Sequence, residues 1–237
     1  MKKIILSAAV IAFGFSFGQK KEISAAFKAI EANDTATANA QINAADAVLG
    51  GKTYLLEPSV LEQYYYAKGL GLLNSGKISE GAEVLANISA LGKSKIYVGK
   101  NAEKQKVYYV GKQAADASGV ANLKEETYTP TLVGNLGAKI NPLLTKANEE
   151  AMAAYNAKNH ELAGQKFLEV NNLLAAAGSE DKLYKYYAGV SYAQGQKNVE
   201  AAKIYKKIIN EGYTGVKTEY KAKNKKTGQE ETLDKNT

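Results

Sequence analysis

The sequence predicts a mainly α-helical protein built of short helical hairpins, with two short β-hairpin excursions. Three observations predict it. Residues 185–212, with Leu183 just before them, carry two amphipathic stripes on either side of a Gly-containing break, Leu183, Tyr186, Tyr187, Val190 and Ala193 in the first and Val199, Ala202, Tyr205, Ile208 and Ile209 in the second. A spacing of twelve and then four residues recurs along the chain, as Gly189, Ala201 and Tyr205, as Ala151, Ala163 and Phe167, as Gly69, Gly81 and Leu85, and as Ala26, Ala38 and Ile42. Runs rich in Tyr, Val, Ile and Lys follow the second and the fourth of these units, and Tyr97, Lys100 and Asn101 return 123 positions on as Tyr220, Lys223 and Asn224.

Residues 1–18 read as an export signal. Lys2 and Lys3 form the positive end, Ile4 to Phe17 the apolar run, and Ser16 and Gly18 the small residues before a cleavage site at Gln19. No Cys stands at that site to carry a lipid, and removal of the segment takes the formal charge from +7 to +5. No transmembrane segment is expected after cleavage.

Residues 19–94 read as the first two helical hairpins. Ile23, Phe27 and Ile30 make one stripe, Asn33-Asp34-Thr35 the turn and cap, and Ala38, Ile42, Ala45, Val48 and Leu49 the second stripe, ended by Gly50-Gly51. The second hairpin opens at Pro58-Ser59, with Ser59 as the expected cap, and turns at Asn74-Ser75-Gly76. Residues 95–138 read as a β-hairpin, Lys95–Gly99 with Lys106–Val110, and then a long loop with room for one short helix, broken by Gly119, Pro130, Gly134 and Gly137. Residues 139–212 read as two more hairpins. Pro142 is expected in a first helical turn, Asn156–Asn159 as a turn, Ser179-Glu180-Asp181 and Asn198 as caps, and Gly178 and Gly212 as stops. Residues 213–237 read as a second β-hairpin, Val216–Lys223 with Gln229–Leu233. A helical array with an open apolar end is poorly soluble, so either chain follows Thr237 or the last hairpin serves as the cap.

The recurring small residues and the four-residue step resemble the tetratricopeptide repeat, which places small residues where its two helices cross and carries an A-x3-F step in the second. The resemblance covers residues 20–92 and 141–212; the family's Trp is absent and no Pro closes a unit. It implies a right-handed solenoid whose first helices line a concave ligand surface, and a non-catalytic role in protein–protein interaction. Carried onto this sequence, the inward positions are Gln63, Tyr66, Leu73, Asn148, Tyr155, Tyr186 and Gln194. Tyr and amide side chains suit an extended peptide, through ring contact and hydrogen bonds to its backbone. The 16 tyrosines remain divided between filling gaps among helices and lining that groove.

Composition narrows the chemistry. The chain has no Cys, a single His and no Trp, so disulfides, thiolate metal sites and Cys nucleophiles are excluded. His160, in a turn, has no second His to share a metal with, and Glu125-Glu126, Glu149-Glu150 and Glu230-Glu231 are adjacent pairs that do not converge on a helix. No phosphate-binding loop or nucleophile elbow is present. The expectation is no enzyme, no cofactor and no metal. All 31 basic residues are Lys, and without Arg the usual reader of phosphate and guanine is missing, which argues against nucleic acid despite a pI near 9.2. Lys217, Lys221, Lys223, Lys225 and Lys226 are candidate anion contacts; a Lys-rich hairpin also protects a sheet edge.

Together these features predict an exported scaffold or adaptor of the bacterial cell envelope, periplasmic or secreted, holding another protein or an extended peptide. The alternative is a Lys/Tyr-rich surface that binds an anionic envelope polysaccharide or a membrane surface, with peripheral envelope association.

Overall fold

The computed structural model describes residues 19–179, 181–215, 220–223 and 230–233. The expected export signal, Glu180, Lys217, Lys225, Lys226 and the turn of the second β-hairpin lie outside these residues. Within them the chain is mainly helical: α1 (residues 19–31), α2 (Thr35–Leu49), a 3-10 turn (Thr53–Leu55), α3 (Pro58–Asn74), α4 (Ile78–Lys93), α5 (Lys112–Ser118), α6 (Val133–Asn156), α7 (His160–Ala176), α8 (Leu183–Gln194) and α9 (Asn198–Asn210). The strands are β1 (Ile96–Lys100), β2 (Lys106–Val110), β3 (Lys124–Glu126), β4 (Tyr220–Lys223) and β5 (Glu230–Leu233).

Four helix pairs share one turn. Asn33, Gly76, Lys158 and Gln196 all have positive φ, between 59° and 82°. Each lies five residues before the small residue of the following helix, Ala38, Gly81, Ala163 and Ala201. The next N–H closes a six-residue hydrogen bond back onto the preceding helix: Asp34 to Ala29, Lys77 to Leu72, Asn159 to Ala154 and Lys197 to Tyr192, all at 2.8–3.0 Å. This left-handed closure satisfies a carbonyl that the helix end leaves unpaired. The side chains of Asp34 and Asn159 cap α2 and α7 by accepting from Thr37 and Leu162, and Asp181 accepts from the N–H of Leu183 at the start of α8.

The small residues of the recurring spacing meet where helices cross. Ala26, Ala38, Ala151, Ala163 and Ala201 are buried, as are Gly69, Gly81 and Gly189. Consecutive helices pack along the chain, α2 on α3, α3 on α4, α6 on α7, α7 on α8 and α8 on α9, and α4 packs on α7 across the intervening sheet segment. A single apolar cluster runs from Ile23 through Leu85 and Ile140 to Ala176, and a smaller one joins Ala151, Ala154, Ala163, Phe167 and Ala188.

Several local expectations are corrected. The third hairpin starts at Val133, not near residue 139, so that boundary falls inside α6 and Pro142 lies in a helix interior. Pro142 removes one backbone donor, but Leu136 and Ile140, fully buried on the N-terminal turns, hold the helix together against the main cluster. The loop before it holds α5, the one short helix expected there, and, unexpectedly, a third strand, giving an antiparallel sheet of order β2-β1-β3. Ser59 and Asn198 do not cap. Glu57 precedes α3, whose first residue is Pro58, and Asn198 is itself the first residue of α9, after Lys197. The second excursion is the antiparallel pair β4–β5, with Tyr220 opposite Leu233.

One buried carboxylate ties the two halves. Glu62 of α3 is 2% exposed; its Oε1 accepts from the N–H groups of Thr131 (2.8 Å) and Leu132 (2.7 Å), and its Oε2 from the Tyr128 hydroxyl (2.6 Å). Those amides immediately precede α6, so Glu62 fixes the chain where it enters that helix, beside the positive end of the helix dipole. Burial, and then the bond to Glu62, push the Tyr128 phenol up.

Candidate functional site: an aromatic groove between α6 and α8

α6 and α8 both pack on α7, and the C-terminal part of α6 and the face of α8 flank one groove. On α8 the buried face is Ala188, Gly189, Ser191 and Tyr192. Of the expected stripe, Leu183 and Val190 are half-buried, whereas Ala193, Tyr186 and Tyr187 are exposed, the two tyrosines at 39% each. With Met152 and Tyr155 of α6 and Phe167 of α7, Tyr186, Tyr187 and Val190 line a groove of about 310 Å³. That is the lower end of the range for small-ligand pockets, the size of one or two apolar side chains.

The walls form a continuous run of ring contacts. His160 meets Tyr155 edge-on at 5.9 Å, Tyr155 meets Phe167 at 6.3 Å, Phe167 meets Tyr187 at 5.6 Å, Tyr187 meets Tyr186 at 6.2 Å, and Tyr186 meets Tyr213 at 5.9 Å. These are tilted and edge geometries, in which each ring's positive rim faces its neighbour's negative face. At the rim the Gln194 amide donates to the Tyr155 hydroxyl at 3.3 Å. Burial pushes the Tyr205 and Tyr213 phenols up, and the neighbouring Tyr186 adds to both shifts. No lining residue carries a charge, so the groove suits an uncharged, apolar or aromatic group flanked by amide hydrogen bonding.

Of the expected inward positions, the structure brings Tyr155, Tyr186 and Gln194 together. Asn148 is half-buried on α6, seven residues before Tyr155, and Gln63 is half-buried on α3. Tyr66 is corrected: it is fully buried and cannot meet a ligand. Its ring packs on Phe27 at 5.5 Å, and its hydroxyl donates to Glu31 at 2.8 Å, where Lys139 of α6 also reaches at 3.0 Å. Burial, and then the bond to Glu31, raise the Tyr66 phenol, and that bond leads the lowering of the Glu31 carboxyl. Leu73 is buried as well. The same register therefore packs at Tyr66 and Leu73 of the second hairpin and opens in the last two.

Sequence reasoning missed Met152 and did not assign Phe167, Tyr187 and Val190 to the groove. Met152 stands three residues before Tyr155 and Val190 four after Tyr186, so helical neighbourhood was the available signal. His160 opens α7 half-buried against Tyr155, not as a free surface turn. Lys221 and Lys223 are exposed on β4. Among the described residues no group of three or more His, Cys, Asp or Glu is placed to hold a metal ion, and no helix is long and apolar enough to cross a membrane.

No protein-family model, curated protein or solved structure matches the chain.

Proposed function

We propose that this chain is an exported, non-catalytic scaffold of the bacterial cell envelope that captures an extended segment of another protein in the α6–α8 groove. The observation that carries the reading is the uncharged wall of Met152, Tyr155, Phe167, Tyr186, Tyr187 and Val190, with the Gln194 amide at its edge. An apolar anchor side chain of the partner enters between the tyrosines, and the amide and hydroxyl groups pair with its backbone. The four shared turns and the small-residue crossings favour a right-handed array like that of tetratricopeptide proteins, with the groove on its inner side. The first 18 residues favour export, with mature chain beginning at Gln19.

Capture from envelope extract tests this, with wild type beside Tyr155→Ala and Tyr186→Ala at low and high salt. The expected result is one or a few defined proteins retained by wild type through high salt and lost from both variants. Capture that the two substitutions leave intact, or that disappears with salt alone, overturns the groove reading. N-terminal sequencing of the envelope form tests export separately.

A further inference from the structure

Among the described residues α8 is the helix packed on α9, and the face of α9 turned away from it is exposed. Its counterpart on α7, 38 residues earlier, is covered by the next helix: a Cβ on Gly164 would stand 2.9 Å from the ring of Tyr192 of α8. The equivalent Ala202 on α9 is exposed, and Val199 and Ile209 beside it are 63% and 66% exposed, the two most exposed large apolar residues among those described. Lys203 and Lys206 are exposed on the same side of the helix and Lys207 on its flank, and no carboxylate of the described residues lies within ion-pair distance of them. By contrast Lys185, on the inner side, reaches Glu211 at 2.8 Å. The acids along α9 are Glu200, in its first turn, and Glu211, which follows its last residue and is paired with Lys185.

The combination selects among occupants. An acidic polymer would use the lysines but gain nothing from Val199 and Ile209. A second copy of the chain would bury the apolar pair but bring Lys203 and Lys206 of both copies together, where like charges repel. A surface that is anionic outside and apolar just beneath satisfies both groups at once. Lys stems reach along such a boundary while their ammonium groups stay in the headgroup layer. The exposed Lys221 and Lys223 of β4 follow in the chain with the same sign.

We propose that the outer face of α9 docks on anionic phospholipid bilayers, Val199 and Ile209 entering the headgroup–acyl boundary and Lys203, Lys206 and Lys207 pairing with lipid phosphates. This is independent of the α6–α8 groove and would hold the array peripherally on a membrane with that groove free.

Co-sedimentation of the full chain with phosphatidylcholine vesicles, with and without phosphatidylglycerol, tests it. The apolar run of residues 4–17 is common to every variant, and the neutral vesicles read its contribution. The expected result is preferential binding to the anionic vesicles, weakened about fivefold for each of Lys203, Lys206 and Lys207 changed to Ala. Val199→Ser with Ile209→Ser is expected to weaken it about tenfold. Lys52, Lys100 and Lys104, exposed elsewhere, serve as the control; changed together to Ala they should leave binding within about twofold. The chain has no Cys, so Ile209→Cys carries a single environment-sensitive fluorophore, whose emission should shift to the blue on anionic vesicles while that of Asn43→Cys on α2 does not. Equal binding to both vesicle types overturns the proposal. So does an equal loss in the Lys52/Lys100/Lys104 control, which would mean diffuse charge. Binding that ignores the two apolar substitutions, or an Ile209-dependent self-association without lipid, overturns it in favour of a polymer or a second copy.

Discussion

Gly81 lies so close to Gly69 that a Cβ on it would stand 2.7 Å from the Gly69 carbonyl oxygen. The obstacle is backbone, which cannot rotate aside, so α3 and α4 must separate to admit even a methyl group. Gly81→Ala is therefore expected to destabilise the fold by about 1 kcal/mol net, overpacking outweighing the better helix propensity of Ala. Gly137 of α6 has open space at the same atom, and Gly137→Ala should stabilise by up to about 1 kcal/mol. Urea unfolding of the two variants reads the opposite signs.

Glu62 accepts from two backbone amides and a phenol. Glu62→Gln keeps the shape, and its Oε1 can still accept from the two amides, but its Nε2 must donate to the Tyr128 hydroxyl, which has to turn its own proton away, and the charged acceptor is lost. A loss of about 2 kcal/mol is expected, against about 1 kcal/mol for Tyr128→Phe, which removes a single bond. Denaturation midpoints check both, and limited proteolysis of Glu62→Gln should cut first within residues 127–132.

Lys158 and Gln196 hold left-handed turns at φ of 60° and 59°, where their counterpart in the second hairpin is Gly76. An L side chain there costs roughly 1–2 kcal/mol, and Gly costs roughly half to one kcal/mol more in the unfolded chain. Lys158→Gly and Gln196→Gly are each expected to raise stability by about 0.5–1 kcal/mol, read from thermal unfolding.

Tyr64 donates to Asp46 at 2.6 Å and accepts from Lys68 at 2.8 Å; burial, then the bond to Asp46, push its phenol from 10.0 up to about 12. The folded state holds this proton more tightly than the unfolded one, so the contribution is complete below pH 10 and is lost as pH rises towards 12. Tyr66 and Tyr128 are raised in the same direction. The unfolding midpoint should fall steeply over that window, and less steeply in Tyr64→Phe.

The hairpins were legible because their signals are local. A turn and a small residue at a fixed distance from it recur within about forty residues, and all four copies make the same left-handed turn. The start of α6 was not legible. Gly134, Gly137 and Pro142 speak for a loop, and only the burial of Leu136 and Ile140 against distant helices overrides them. β3 is three exposed charged residues with no alternating pattern. Glu62 gave no signal because its partners lie 66 to 70 positions away. The groove was half legible: Tyr66 and Tyr155 share a residue type and a register, and what separates them is that the extended α6 brings Leu136, Ile140 and Lys139 to the Tyr66 side.

The run of rings from Tyr155 to Tyr213 also gives the protein a native optical reporter. With 16 Tyr and no Trp, its near-ultraviolet emission is tyrosine emission alone, undrained by transfer to indole. Rings about 6 Å apart exchange excitation among themselves. A guest that separates or quenches any one of them should therefore change the signal of the whole run, so occupancy of the groove could be followed in unlabelled protein.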